Sequence, residues 1–209
     1  MLIGATLGAT VGTAFSSANQ IPNLVTEIVL GAVLTSLVVP VLVRAEKEDT
    51  DRGETFVRRL FTLAFSILGI VTIASVVLAP FLTRMMLPED SKANAVQATS
   101  LAFLLLPQIL FYGLFALFQA VLNTKNIFGP GAWAPVINNF ISIGVLLAYR
   151  FLPGELDPHD PTPVADPHVM LLGLGTTTAV MVQCLILLPY LKKAGINLRP
   201  KWGLDARIK

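Results

Sequence analysis

The chain alternates long apolar stretches with short charged ones. Stretches free of Asp, Glu, Lys and Arg run from Leu60 to Thr83, Ala93 to Thr124, Asn126 to Tyr149 and Pro167 to Leu191, with a shorter one from Ile28 to Val43. A helix that crosses a bilayer needs roughly 20 predominantly apolar residues, which the first four reach. Each central Leu, Ile, Phe or Val favours insertion by about 0.3–0.6 kcal/mol, and no central charge is present to oppose it. The fifth becomes long enough if it extends toward Pro22, with Glu27 read as a carboxylate near a helix N-terminus, where the helix dipole favours it. The pattern predicts at least five transmembrane helices in an all-α polytopic bundle, with approximate bounds 1–16 (partial), 22–44, 56–86, 93–123, 131–152 and 168–192.

Polar residues inside these segments are spaced in a helical rhythm. Gln97, Gln108, Tyr112, Gln119 and Asn123 fall within a stripe about 80° wide at 100° per residue. Asn138, Ser142 and Tyr149 form a similar stripe on the next segment, and Thr176, Gln183 and Tyr190 on the last. Pro107 is expected to kink the first of these helices. Two readings stand side by side. Such residues join helices by hydrogen bonds averaging about 0.6 kcal/mol each, or they line a water-filled cavity for a polar solute or headgroup. Pro22, Pro40, Pro80, Pro130, Pro135 and Pro189 sit near helix ends, and bent or broken helices of this kind suit transporters.

Composition agrees with a lipid solvent. Charged residues make up 13% of the chain and hydrophobic ones 54%, with a mean hydropathy of +0.71; a soluble domain carries about a quarter charged residues. A net charge of +2 is too small to suggest nucleic acid. The single cysteine, Cys184, makes no internal disulfide and reads as a small apolar helix residue. Met1 to Phe15 is apolar and rich in small residues, lacks the basic start of a signal peptide, and reads as the back half of a helix. The tail from Arg199 to Lys209 reads as a loop leading onward, so both ends suggest part of a longer chain.

Alternating the loops across the membrane places Arg44, Lys47, Arg52, Arg58, Arg59, Lys125 and the six basic residues from Lys192 onward on one side. Only Arg84, Lys92 and Arg150 remain opposite. The positive-inside rule makes the first side, with loop 44–59 and the C-terminal tail, cytoplasmic, and loop 153–168 external. That external loop holds Glu155, Asp157, Asp160, Asp166, His159, His168 and five prolines. A metal site from His159, Asp160, Asp166 and His168 is conceivable, but a solvated, proline-stiffened connection is the favoured reading, since no rigid element fixes the ligands. Neither metal nor cofactor is expected. No paired carboxylates and no nucleophile–base constellation support an enzyme.

Three motifs carry a resemblance: Ile21-Pro-Asn-Leu24 with a helix closing on Val39-Pro-Val41; Asn123-Thr-Lys-Asn-Ile-Phe128 continuing through Ala134-Pro135 to Asn138-Asn139; and Leu188-Pro-Tyr-Leu-Lys-Lys-Ala-Gly195. In order and at matching intervals, these resemble the MurJ (MviN) family of lipid II flippases, in an actinobacterial, mycobacterial-like form. The resemblance implies a multidrug/oligosaccharidyl-lipid/polysaccharide exporter-type fold, with about fourteen helices in two lobes around a cavity that alternates its access. This chain would be the end of helix 1 through helix 6, most of the first lobe. The implied function is flipping of lipid-linked peptidoglycan precursor across the cytoplasmic membrane for cell-wall synthesis. The implied partners are that precursor, membrane lipids, the second lobe and cell-wall regulatory proteins. Related alternatives are another exporter of the superfamily, for drugs or polysaccharide lipids, and a non-transporting scaffold for cell-wall proteins, to which a cytoplasmic pseudokinase-like domain would be suited.

Residue by residue, Asn23 and the helix-start Pro22 carry over. The basic positions that follow the motif in the family fall on Thr26 and Glu27, an acidic position falls at about Thr13, and the family's cavity arginines fall outside residues 1–209. The chain alone is therefore expected not to flip substrate. The cavity candidates are Asn23, Thr26, Glu27, Gln108, Gln119, Asn123, Asn138 and Gln183.

Overall fold

A computed structural model describes residues 7–28, 39–48, 53–87, 94–154, 156–157 and 162–196. These form helices α1 (Ala9–Thr26), α2 (Val39–Glu48), α3 (Glu54–Val77), α4 (Ala79–Met86), α5 (Ala95–Leu105), α6 (Gln108–Thr124), α7 (Gly129–Tyr149), α8 (Pro167–Leu185) and α9 (Leu188–Lys193), with no strand among the described residues. Among the described residues, three spans are long and apolar enough to cross a membrane: Glu54–Val77, Gly129–Tyr149 and Pro167–Lys193. The pair α5–α6, bent by 42°, makes a fourth if it is one span.

Prolines set the breaks. Pro107 lacks the N–H that would continue α5, and the chain turns there before resuming as α6. The segment expected over 56–86 breaks at Leu78, just before Pro80, and α8 gives way to α9 just before Pro189. The α6–α7 turn closes on Asn126, whose φ of 57° lies in the left-handed region that Asn tolerates. The N–H of Ile127 then donates to the Leu122 carbonyl at 2.9 Å, satisfying an end-of-helix acceptor. Asn94 starts α5 by accepting from the N–H groups of Val96 (2.9 Å) and Gln97 (3.4 Å).

The first two expected helices differ from the structure. Among the described residues no break falls between the two: α1 runs through Ser16–Ile21 with Pro22 inside it and continues as a π turn over 27–28. Ser16, Ser17, Asn19 and Gln20 look like a helix end in the sequence but occupy helix faces, with Ala18 and Ile21 buried between them. Pro22 is therefore an interior residue rather than a helix start, and the Thr26 hydroxyl bonds back to its carbonyl at 2.7 Å. Glu27 lies at the far end of α1, not at an N-terminus, and is exposed. Residues 29–38, in the middle of the expected 22–44 helix, lie outside the described residues.

α5 and α6 form the centre of the bundle. α1 packs against both, α8 packs against both from another side, and α3 packs on α6 while α7 packs along α8. α3 and α7 are peripheral: 22% and 17% of their apolar windows are buried, against 44% for the Pro167–Lys193 span. Ile70, Ile73 and Val77 on α3, and Trp133, Phe140 and Leu147 on α7, stand exposed and suit a lipid environment.

At two glycines of α8 the neighbouring helices leave no room for a side chain. A Cβ at Gly173 would lie 2.5 Å from Leu104 Cβ, and one at Gly175 would lie 2.6 Å from Val145 Cγ2. These two small residues let α8 approach α5 and α7 closely, as small residues do in membrane helix pairs.

A polar cleft between four helices

Residues from α1, α6, α7 and α8 enclose a cleft of about 250 Å³. α1 supplies Phe15 and Asn19, four apart and thus on one face; α8 supplies Thr176 and Val180 at the same spacing. α7 supplies Asn138, Asn139, Ser142, Val145 and Leu146, and α6 supplies Tyr112. Three carboxamides and three hydroxyls thus face one space, and none of the lining residues carries a charge.

The polar groups are partly committed to each other. Ser142 donates to Asn138 Oδ1 over 3.4 Å, and Thr176 donates to the Leu172 carbonyl one turn back at 2.6 Å. Asn19 Oδ1 is buried without a hydrogen-bond partner. A buried acceptor left unpaired costs about 1–3 kcal/mol, so it favours an occupant that can donate to it.

Of the residues singled out in the sequence, Asn138 lines the cleft. Asn23 is exposed near it on α1, and its side chain hydrogen-bonds the Tyr112 hydroxyl. Thr26 is spent on the Pro22 carbonyl. Gln108 is fully buried and donates from Nε2 to Thr177 Oγ1 at 3.1 Å, joining α6 to α8. Gln119 packs against Gly131 in the α6–α7 contact. Asn123 is exposed in the last turn of α6, where its carbonyl accepts from the Asn126 N–H at 3.0 Å. Gln183 is buried on α8 with Oε1 unpartnered. The single stripe expected along Gln97 to Asn123 is thus dispersed, because the 42° bend rotates the two halves against each other.

Gln97 belongs to a separate contact. Its Nε2 donates to Thr162 Oγ1 at 3.2 Å, and Ser100 donates to the Thr162 carbonyl at 2.9 Å. The Leu156 N–H donates to the Tyr149 hydroxyl at 3.3 Å, and His168 Nε2 lies 3.2 Å from the Gly154 carbonyl. Asp166 caps α8 through the N–H groups of His168 (2.8 Å) and Val169 (3.3 Å). Asp166 therefore caps α8 and His168 ties Gly154 to the start of that helix; His159 and Asp160, the other two conceivable metal ligands, lie outside the described residues.

Asn19 and Asn139 escape sequence reasoning. Asn19 falls in what reads as a helix end, and Asn139 is adjacent to the stripe residue Asn138 rather than in phase with it. The i, i+4 pair Phe15–Asn19 is the signal that would have found the first.

The sequence matches the profile of the family described as "Lipid II flippase MurJ" over residues 3–209. A "Probable lipid II flippase MurJ" of Haemophilus influenzae is 28% identical over 175 residues, which cover 79% of this chain and 32% of that protein. A protein of the same description from Rhizobium meliloti is 28% identical over 167 residues, 78% of this chain and 30% of its own length. One from Vibrio cholerae is 34% identical over 97 residues, 46% and 16% respectively. The chain spans about a third of the length of the first of these relatives. With apolar spanning helices bent at prolines and a family profile that runs from Ile3 to Lys209, the chain is a multi-pass inner-membrane protein belonging to the lipid II flippase MurJ family.

Proposed function

We propose that this chain serves in moving a lipid-linked peptidoglycan precursor, lipid II, from the cytoplasmic to the outer leaflet for cell-wall synthesis. The observation that carries the reading is the neutral polar cleft inside an otherwise apolar bundle, in a chain of this family. The physical task is to shelter a polar headgroup from hydrocarbon while its polyprenyl tail stays in lipid. Six hydrogen-bonding side chains within a membrane bundle offer such shelter. The pyrophosphate needs cations that this cleft does not supply. We assign that role to a second lobe of the longer protein, the partner against which this lobe alternates.

Loop 44–59 and the segment from Lys192 onward face the cytoplasm in this reading, on the strength of the basic residues gathered there. Tyr190 is exposed with Lys193 Nζ 5.7 Å from its ring centre, an aromatic–cation pair suited to a membrane interface. Asn23, Asn138 and the buried Gln183 remain the cavity candidates of the sequence that we keep; Asn19, Tyr112, Asn139, Ser142 and Thr176 join them. The test is depletion of the protein in its host, followed by a membrane-impermeant hydrolase that cleaves exposed headgroups. Loss of the externally cleavable precursor, with total precursor rising, is the expected result. An unchanged cleavable fraction under full depletion overturns the proposal.

A further inference from the structure

We infer that the cleft between α1, α6, α7 and α8 is a subsite for one sugar ring of the headgroup, reading its hydroxyl and acetamido groups, and not a site for the pyrophosphate. The inference rests on the proposed function and narrows it to a part of the substrate.

Charge decides against phosphate. Anion sites use Arg or Lys side chains, or free backbone N–H groups at a helix N-terminus. The cleft has neither, because its polar residues come from helix interiors: Asn19 within Ala9–Thr26, Tyr112 within Gln108–Thr124, Asn138 within Gly129–Tyr149 and Thr176 within Pro167–Leu185. A pyrophosphate placed here would be desolvated with no cation or helix N-terminus to balance its charge, which is far costlier than burying a neutral group.

The hydrogen-bonding inventory matches a sugar. Asn19 Oδ1 is a buried acceptor without a partner, ready for a hydroxyl or amide N–H. Thr176 has committed its proton to Leu172, so its oxygen is left as an acceptor. Asn138 Oδ1 takes the Ser142 hydroxyl, which turns the Asn138 amide nitrogen into the group offered as donor. The space thus offers both donors and acceptors, as the hydroxyl and acetamido groups of a sugar require. Phe15, Val145, Leu146 and Val180 provide apolar surface for the C–H faces of a ring. The volume of about 250 Å³ is below the roughly 300–1,000 Å³ of pockets for drug-sized ligands, which fits one ring and excludes a whole disaccharide–peptide headgroup.

The test compares two lipids on the protein as its host makes it, purified into nanodiscs. One is polyprenyl pyrophosphate; the other is the same lipid bearing a single N-acetylhexosamine. The protein is expected to prefer the sugar-bearing lipid, and Asn19→Leu to reduce that preference about tenfold, as sites built to bond a substrate group respond when the pairing is lost. Asn139→Ala is the second variant: Asn139 is exposed on α7, so its truncation leaves the helix packing intact, and it is expected to reduce the preference severalfold. An unchanged preference in both variants overturns the sugar subsite while leaving the transport reading in place. Failure of the unaltered protein to bind either lipid overturns both.

Discussion

The Thr177 hydroxyl on α8 donates to the Leu104 carbonyl on α5 across 2.6 Å, two residues before the turn that separates α5 from α6. The same hydroxyl accepts from Gln108 Nε2, on the far side of that turn, at 3.1 Å. One side chain of α8 therefore grips both halves of the bent pair, satisfying a carbonyl beside a proline break as membrane helices must. Thr177→Val keeps the shape, removes both bonds and leaves the fully buried Gln108 amide unsatisfied. We predict a loss of about 1–2 kcal/mol, read as an earlier unfolding midpoint in detergent, with Thr177→Ser close to the unaltered protein.

Gly173 allows no side chain. The Cβ of Gly173→Ala would meet Leu104 Cβ at 2.5 Å, and a Cβ has no flexible far end that could swing aside. The α5–α8 contact must open, at an expected cost of about 1–3 kcal/mol. Gly69→Ala is the control, since a Cβ there meets nothing within 4 Å and is expected to leave the midpoint unchanged.

Loss of the Asp166 cap in Asp166→Ala is expected to cost about 0.5–2 kcal/mol and to raise hydrogen exchange in the first turn of α8. Gln97→Leu combined with Ser100→Ala should instead raise exchange and proteolysis around Thr162 alone, because the pair removes both side-chain bonds that α5 makes to Thr162 without touching the α8 cap. Equal effects of both variants on both regions would contradict this division.

Orientation is tested with single cysteines in a Cys184→Ala background, Cys184 being buried on α8. A membrane-impermeant maleimide is expected to label Pro153→Cys in intact cells, and Asn126→Cys only after the membrane is opened. The reverse order would invert the sidedness.

Much of the fold is legible in the sequence because lipid imposes a simple rule: uncharged apolar runs of spanning length become helices, and prolines such as Pro107 and Pro80 mark where they bend or break. α1 is harder, since Pro22 and the polar run Ser16–Gln20 imitate a helix end while tertiary packing keeps the chain helical. The cleft is only partly legible. Asn138, Ser142 and Thr176 announce themselves by periodicity, but whether a polar residue joins helices or faces a cavity depends on its neighbours in space. Gln97 and Gln108 find Thr162 and Thr177 across sequence separations of 65 and 69 residues, pairings that a one-dimensional stripe does not contain.

The most direct measurement of the central claim is transport itself. The protein as its host makes it is reconstituted into liposomes carrying headgroup-labelled lipid II in both leaflets, and a membrane-impermeant reagent destroys the label it can reach. Protein-dependent exchange between leaflets, with the reachable fraction rising from the outer leaflet's share toward the whole, is the predicted result. A reachable fraction equal to that of protein-free liposomes would contradict the account.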